Sequence, residues 1–203
     1  MADPPTLTKE YILSRLLSDP AAGVLNGDFR LGGWHDDTSN PKPAAVLVPL
    51  VQHRHGTTVL LTQRTDHLHH HPGQVSFPGG RMEEHDSDVV ETALRETQEE
   101  VGIPPESVAV IGYLPPMPTV TGYAVSAVVG LVSEQLSLEI DHTEVEYAFE
   151  VPLEFLLDPR NERALEREYR GRRIPTVEFH YEGEHIWGAT AHMLVELRKI
   201  LLK

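Results

Sequence analysis

Apolar residues recur along this chain at two spacings, and the change from one to the other marks out its elements. Tyr11, Ile12, Leu16 and Leu17 repeat at helical intervals behind Thr8, which predicts a capped helix over residues 9–17. Residues 18–43 are rich in Gly, Asp, Asn and Pro and read as a loop or arm. An apolar run over 44–52 and a second over 57–63 predict strands, and His53-Arg54-His55-Gly56 between them suits a hairpin turn. Residues 65–80 are too irregular for one long element. Helical periodicity returns over 88–101 and stops at Gly102, with Pro104 and Pro105 beyond. Strands are predicted at 108–113 and 123–132, with Pro115-Pro116-Met117-Pro118 as a rigid loop between them. Residues 152–157 suggest a short helical turn. Strands at 173–180 and 185–187 flank a turn at Glu182-Gly183. The last helix covers 189–202 and is apolar at Met193, Leu194, Leu197, Ile200 and Leu201. Strands and helices mix without regular βαβ alternation, so the expected class is α/β, a mixed sheet with helices packed on it.

Composition narrows this picture. A chain of 203 residues, 40% hydrophobic and 24% charged, suffices for one domain with a full core and excludes wholesale disorder. The expected division is a helix and arm over 1–43 and the domain over 44–203. Lys and Arg total 17 against 31 Asp and Glu, a net charge of −14. That balance argues against nucleic acid and against an anionic membrane surface as partners. An anionic substrate would then be held through something other than net charge, and a bound divalent cation is the obvious candidate. The absence of cysteine removes disulfides, thiolate nucleophiles and Cys-type zinc sites. The first residues lack a basic stretch followed by an apolar run, and residues 44–51 are far below membrane-spanning length. A cytoplasmic protein is expected.

The candidate chemistry lies on the helix over 88–101. Asp88, with Glu91 three residues on, fits a capping pattern. At roughly 100° per residue, Val90, Leu94 and Val101 share one side. Glu96, Glu99 and Glu100 fall within an arc of about 100° on another. Three carboxylates so placed repel each other by roughly a few tenths of a kcal/mol per pair. Either this is a solvated acidic face, or a divalent cation reverses the sign of the interaction. Oxygen-only ligands suit Mg²⁺ or Mn²⁺. Upstream, Phe77-Pro78-Gly79-Gly80 is either a plain turn or a loop that lets backbone approach a phosphate closely.

Together these segments resemble the Nudix hydrolases, whose signature runs Gly, five residues, Glu, seven residues, Arg-Glu, apolar, any, Glu-Glu, any, Gly, apolar. The second half reads Arg95-Glu96-Thr97-Gln98-Glu99-Glu100-Val101-Gly102-Ile103, with Thr97 in place of the apolar residue. The first half departs. The sixth residue after Gly80 is Asp86, and eight residues rather than seven separate it from Arg95. Asp86, Glu83 and Glu84 all remain candidates for the first acid. A second block, Leu60-Leu61-Thr62-Gln63-Arg64-Thr65, then His69, Gly73 and Phe77-Pro78-Gly79-Gly80, is similar to the motif of the coenzyme A pyrophosphatase branch. Thr65 there replaces Ser, and His69 replaces an Arg, losing a permanent charge and a bidentate fork.

The resemblance implies a Nudix-type α/β/α sandwich with a loop-helix-loop catalytic motif. It also implies Mg²⁺- or Mn²⁺-dependent hydrolysis of coenzyme A, or its derivatives, to 3′,5′-ADP and 4′-phosphopantetheine. By matching positions, Glu96, Glu99, Glu100 and the Gly80 carbonyl would ligate the metal, and Arg95 would orient a loop carboxylate. The general base would be Glu99 or, next, Glu144, which also reads as a solvated loop acid. Arg64, His69, Phe77, Gly79 and Arg81 would lie on the substrate side, although each arginine also suits a surface ion pair and Phe77 also suits packing. The family leaves room for a homodimer. Competing readings are a hydrolase of ADP-ribose, dinucleotides or oxidised nucleotides, a silent nucleotide-binding module, and a metal-binding protein built on His67, His69, His70 and His71.

Overall fold

The strand Lys42–His53 (β1) is apolar on both faces, and that decides the layering. Its even-numbered side chains Ala44, Val46, Val48 and Leu50 join the larger core cluster, while Ala45 and Leu47 join a separate cluster on the opposite face. A strand buried on both sides needs a helical layer over each. The computed structural model describes residues 8–20, 41–68, 71–119, 121–135, 137–169 and 171–202. The predicted arm over 18–43 therefore lies largely outside the described residues.

β1 turns through a tight hairpin, His53 facing Gly56, into Gly56–Arg64 (β2). Two short strands follow, Val75–Ser76 (β3) and Gly79–Arg81 (β4), then the helix Val89–Val101 (α2). Val108–Pro118 (β5), Tyr123–Ser133 (β6) and Val145–Pro152 (β7) complete the main sheet. Its order is β3-β2-β1-β6-β5, with β4 on β1 and β7 on β2. β1 and β6 run parallel and the other pairs antiparallel, the mixed sheet expected. α2 packs on the face that carries Ala45 and Leu47. The other face is covered by Lys9–Arg15 (α1), Leu153–Leu157 (α3) and Gly188–Leu201 (α4). A second, three-stranded sheet, Glu162–Tyr169 (β8), Arg172–Tyr181 (β9) and Glu184–Trp187 (β10), adds Phe179 and Ile186 to that core. The result is the α/β/α sandwich expected.

The local signals acted as anticipated at several ends. Thr8 accepts from Tyr11 N at the start of α1, and Gly102 ends α2 in the left-handed region at φ 73°. One expectation fails. Pro115-Pro116-Met117-Pro118 is not a loop but the far end of β5, because β5 is an edge strand and shifts register between Leu114 and Met117. Edge strands and bulges are where a sheet tolerates proline. β7 and β8 were not anticipated. β8 (Glu162-Arg163-Ala164-Leu165-Glu166-Arg167-Glu168-Tyr169) is mostly charged, so its sequence offers little apolar alternation. No helix among the described residues is long and apolar enough to cross a membrane.

Candidate active site

The site begins where β1 divides its partners. β1 pairs with β4 through Ala44, Ala45 and Val46, and with β2 only from Leu50 onward. Between them Leu47 N donates to Pro78 O at 2.9 Å, so the Phe77-Pro78-Gly79-Gly80 segment is clamped edge-on to the central strand. Gly79 sits at φ 153°, and a Cβ there would meet the Ala45 carbonyl and the Val46 backbone. Any side chain at this position would prise the loop from the sheet. At Gly80 a Cβ would instead overlap the Glu96 carboxylate, the end of a flexible side chain. Gly80→Ala is therefore expected to fold with a melting temperature close to the parent's while its kcat falls at least tenfold. Steady-state kinetics beside a thermal melt check this, and a large melting loss with kcat retained would contradict it.

Beneath the loop, α2 does not present its three glutamates alike. Glu100 is 3% exposed and lies on the buried side with Ala93, Thr97 and Val101. Glu96 is half-buried and Glu99 exposed. Thr97, in the position of an apolar residue, is tolerated because its hydroxyl donates to Ala93 O at 2.6 Å. Glu100 Oε2 accepts from Gly79 N at 3.1 Å, and Oε1 accepts from Arg64 Nη1 at 3.2 Å. Burial pushes the Glu100 carboxyl up to about 7, against the opposing pull of Arg64 and the Gly79 amide, with Glu96 and Glu144 adding to the rise. Glu96 is raised for the same leading reason, with Glu99 and Glu144 repelling it and Arg95 partly offsetting them.

Arg95 holds the opposite wall. Its Nε and Nη2 donate to Asp86 Oδ1 and Oδ2, both at 2.9 Å, and its Nη1 reaches Glu96 at 2.9 Å and Glu99 at 3.1 Å. Asp86 is the only buried acid of the three first-acid candidates; Glu83 and Glu84 are exposed. Asp86 N donates to Glu83 O at 3.1 Å and Glu83 N to Asp86 Oδ2 at 2.8 Å. The extra residue of this loop is thus taken up in a turn over 83–86 that delivers Asp86 to Arg95. The guanidinium bonds hold the Asp86 carboxyl far below the usual carboxylate range. Asp88 caps α2 through Val90 N and Glu91 N, but Glu91 reaches back to Ser87 N rather than to Asp88.

Glu144 enters from a distant loop. Asp141 N donates to Glu100 O at 3.1 Å, Thr65 N donates to Glu144 O at 3.0 Å, and the Glu144 carboxylate lies 3.6 Å from Arg64 Nη2. The loop is thereby docked on both β2 and the end of α2. Glu96, Glu100 and Glu144 repel one another in a partly desolvated place, and every side-chain donor group among them is an oxygen. That donor set fits a hard divalent cation.

A NUDIX domain model matches residues 41–171. Over 161 residues the chain is 44% identical to the uncharacterized Nudix hydrolase NudL of Escherichia fergusonii, covering 79% of this chain and 83% of that protein. This chain belongs to the Nudix hydrolase family. The NudL protein of Salmonella paratyphi B is similar to the same extent, 44% over 161 residues with the same coverages. Among solved structures, a C. elegans Ap4A hydrolase in a binary complex is similar at a TM-score of 0.48 and 21% identity, over 55% of this chain and 80% of that one. Nudix hydrolases act on phosphoric anhydride bonds and generally use divalent metal ions, so this protein is a pyrophosphohydrolase.

Within the Nudix site, Arg64, Gly79, Gly80, Arg95, Glu96, Glu99, Glu100 and Glu144 come together, four of them acids from two separate segments. Phe77 does not offer a face to a ligand. It is 3% exposed within the main core, where an apolar ring beside β3 has nowhere else to pack. Arg81 is exposed, lining an open cleft with Lys42 and Met82, while its carbonyl accepts from Arg95 Nη2 at 3.1 Å. His69 and His70 lie outside the described residues. His67 and His71 face separate partners, the Thr143 carbonyl and the Gln74 side chain. The sequence left the acid opposite Arg95 open among three residues, and gave no sign that Arg64 would pair with Glu100. Unequal burial, and the two bonds from Arg95, single out Asp86 from Glu83 and Glu84.

Proposed function

We propose that this Nudix hydrolase cleaves the pyrophosphate bond of coenzyme A or its derivatives, releasing 3′,5′-ADP and 4′-phosphopantetheine, with Mg²⁺ or Mn²⁺ as cofactor. The observation that carries the reading is the junction of two sequence blocks at one point. Arg64, from the coenzyme A-type block on β2, reaches Glu100, from the acidic helix, at 3.2 Å, and Gly79 of that same block donates to the same carboxylate. The residues that distinguish the branch therefore touch the residues that define the family.

Glu96, Glu100 and the Gly80 carbonyl, with Glu99 at the rim, would hold the cation. Bound there, it would neutralise the anhydride oxygens and lower the pKa of an attacking water. Arg95 fixes Glu96 and Glu99 against Asp86 and acts as a positioning residue. For the general base we favour Glu144 over Glu99. Glu99 is engaged by Arg95, whereas Glu144 stands 3.6 Å from the nearest Arg64 nitrogen and is half exposed. Arg64 and Arg81 would meet substrate phosphates, as would His69. We read residues 44–203, together with Lys42 and Pro43 that open β1, as the catalytic domain and the residues before them as accessory, working in the cytoplasm on a free nucleotide.

A substrate panel tests the branch. Coenzyme A, ADP-ribose, a diadenosine polyphosphate and an oxidised nucleoside triphosphate are compared at equal enzyme and Mg²⁺. The expected result is a kcat/KM for coenzyme A at least tenfold above each other substrate. A preference for ADP-ribose or the dinucleotide would keep the family and overturn the branch.

A further inference from the structure

The hairpin of β9 and β10 brings together a group of side chains that the hydrolytic site does not use. The antiparallel register sets His185 directly opposite His180 and Trp187 opposite Glu178. Residues two apart on a strand share a face, so Glu178 and His180 on β9 stand beside His185 and Trp187 on β10. The two imidazoles stack with centroids 4.7 Å apart and planes 12° from parallel. They divide one carboxylate between them. Glu178 Oε1 lies 3.0 Å from His180 Nε2, and Oε2 lies 2.8 Å from His185 Nε2. One ligand atom from each of the three residues lies within 4.8 Å of the others.

We propose that Glu178, His180 and His185 form a second metal site, taking Zn²⁺ through two imidazole nitrogens and one carboxylate oxygen. The chemistry of the donors sets it apart from the acidic helix. Imidazole nitrogen favours borderline cations such as zinc, whereas the oxygen-only set around Glu100 favours Mg²⁺. The geometry is close to what zinc requires. With zinc–ligand bonds of about 2.0–2.2 Å in a tetrahedron, neighbouring ligand atoms stand roughly 3.4 Å apart. The two observed carboxylate–imidazole separations are slightly shorter, so small outward turns of two partly exposed rings would admit the ion. Three protein ligands leave a fourth position for water.

The surroundings hold the ligands in place. Arg167 of β8 lies with its guanidinium 4.4 Å from the centre of the Trp187 ring, and its Nη2 is 3.4 Å from Glu178 Oε2. A partner on a ligating carboxylate fixes its direction, and Arg167 on Oε2 leaves Oε1, toward His180, as the oxygen for the ion. The ladder fixes the backbone on both sides, so little ordering remains to be done on binding. β10 passes directly from Trp187 into Gly188, the first residue of α4. A zinc ion there would fasten β9 to β10 at the entry to the helix that covers the main core. By mass action it would raise the melting temperature, increasingly as the logarithm of free zinc once that exceeds the dissociation constant.

The test uses the full-length, untagged protein, stripped of metal and dialysed against Zn²⁺ in a large excess of Mg²⁺, which occupies the acidic helix. Expected are one zinc per chain, a zinc-dependent rise in melting temperature, and a loss of zinc affinity of roughly tenfold or more in His180→Gln and in His185→Gln. A His70→Ala/His71→Ala variant is expected to bind zinc as the parent does. Melts of all variants in chelator check that they fold. Co²⁺ absorption of the parent gives an independent reading, because a four-coordinate nitrogen–oxygen site absorbs far more strongly than an octahedral oxygen site. Zinc retained undiminished in both histidine variants would overturn the proposal. So would zinc lost in the His70/His71 variant, or a weak octahedral cobalt spectrum.

Discussion

Glu100→Gln is expected to cut hydrolysis by about 10²–10³-fold while leaving the metal-free fold at least as stable as the parent's. The carboxylate is 3% exposed and faces Glu96 and Glu144, a place that stability alone would not give an anion. The amide can still accept from Gly79 N with its oxygen, so the clamp on the glycine loop survives. What disappears is an anionic ligand for the cation, and a loss in kcat of about 10²–10³-fold is the scale for removing one group that meets developing charge. A pH signature accompanies it. In chelator, the folded parent holds a proton on Glu100 up to about 7, well above the ordinary glutamate value. Between those two pH values the folded state binds more protons than the unfolded one. Its stability therefore falls as pH rises through that window, and levels off above it. Glu100→Gln lacks this decline. Urea melts in chelator at pH 5 and pH 8 should show the variant gaining on the parent at the higher pH. A variant that unfolds readily at both, or keeps its kcat within a few-fold, would contradict the role given to Glu100.

Asp86→Ala is expected to be the most destabilising single change near the site. The side chain of Asp86 is fully buried and takes two bonds from Arg95, one from Thr92 Oγ1 and one from Glu83 N. Its removal strands a guanidinium that is itself only 17% exposed. Breaking such a pair from one side costs about 3–5 kcal/mol, or a melting loss of roughly 10 °C or more for a domain of this size. Activity falls as well, because Arg95 would keep only Glu96, Glu99 and the Arg81 carbonyl and lose its anchor on the loop acid. Asp86→Asn, which keeps the shape and part of the bonding, should lose less. Because the folded Asp86 carboxyl lies far below its ordinary value of about 3.9, its contribution is complete above that pH and drains away as pH falls below it. The parent and Asp86→Asn should therefore converge in stability on acidification. Equal stabilities at pH 7 would show that the pair is not structural.

The elements with strong local signals were legible in the sequence. α2 announced itself by Asp88 at one end and Gly102 at the other, and β1 by an unbroken apolar run. What escaped has a physical cause. The proline run 115–118 looked like a loop because no residue in it reveals that its strand lies on a sheet edge. β8 carries charges at five of its eight positions and is defined by its partner β9 rather than by its own alternation. In the site, spacing placed Glu96, Glu99 and Glu100 on one arc but could not say that only Glu100 turns inward, since that depends on the position of β2 and Arg64. Likewise Asp86 could not be told from Glu83 and Glu84 until the turn over 83–86 was seen.

The function proposed for this protein is cleavage of a pyrophosphate at the junction of Arg64, the glycine loop and Glu100. The most direct measurement incubates the purified protein with coenzyme A and Mg²⁺ or Mn²⁺ and separates the products by chromatography, with Glu100→Gln alongside. The predicted result is metal-dependent release of 3′,5′-ADP and 4′-phosphopantetheine in equal amounts, at a rate about 10²–10³-fold lower in the variant. No product from the parent with either metal, or undiminished product from Glu100→Gln, would contradict it.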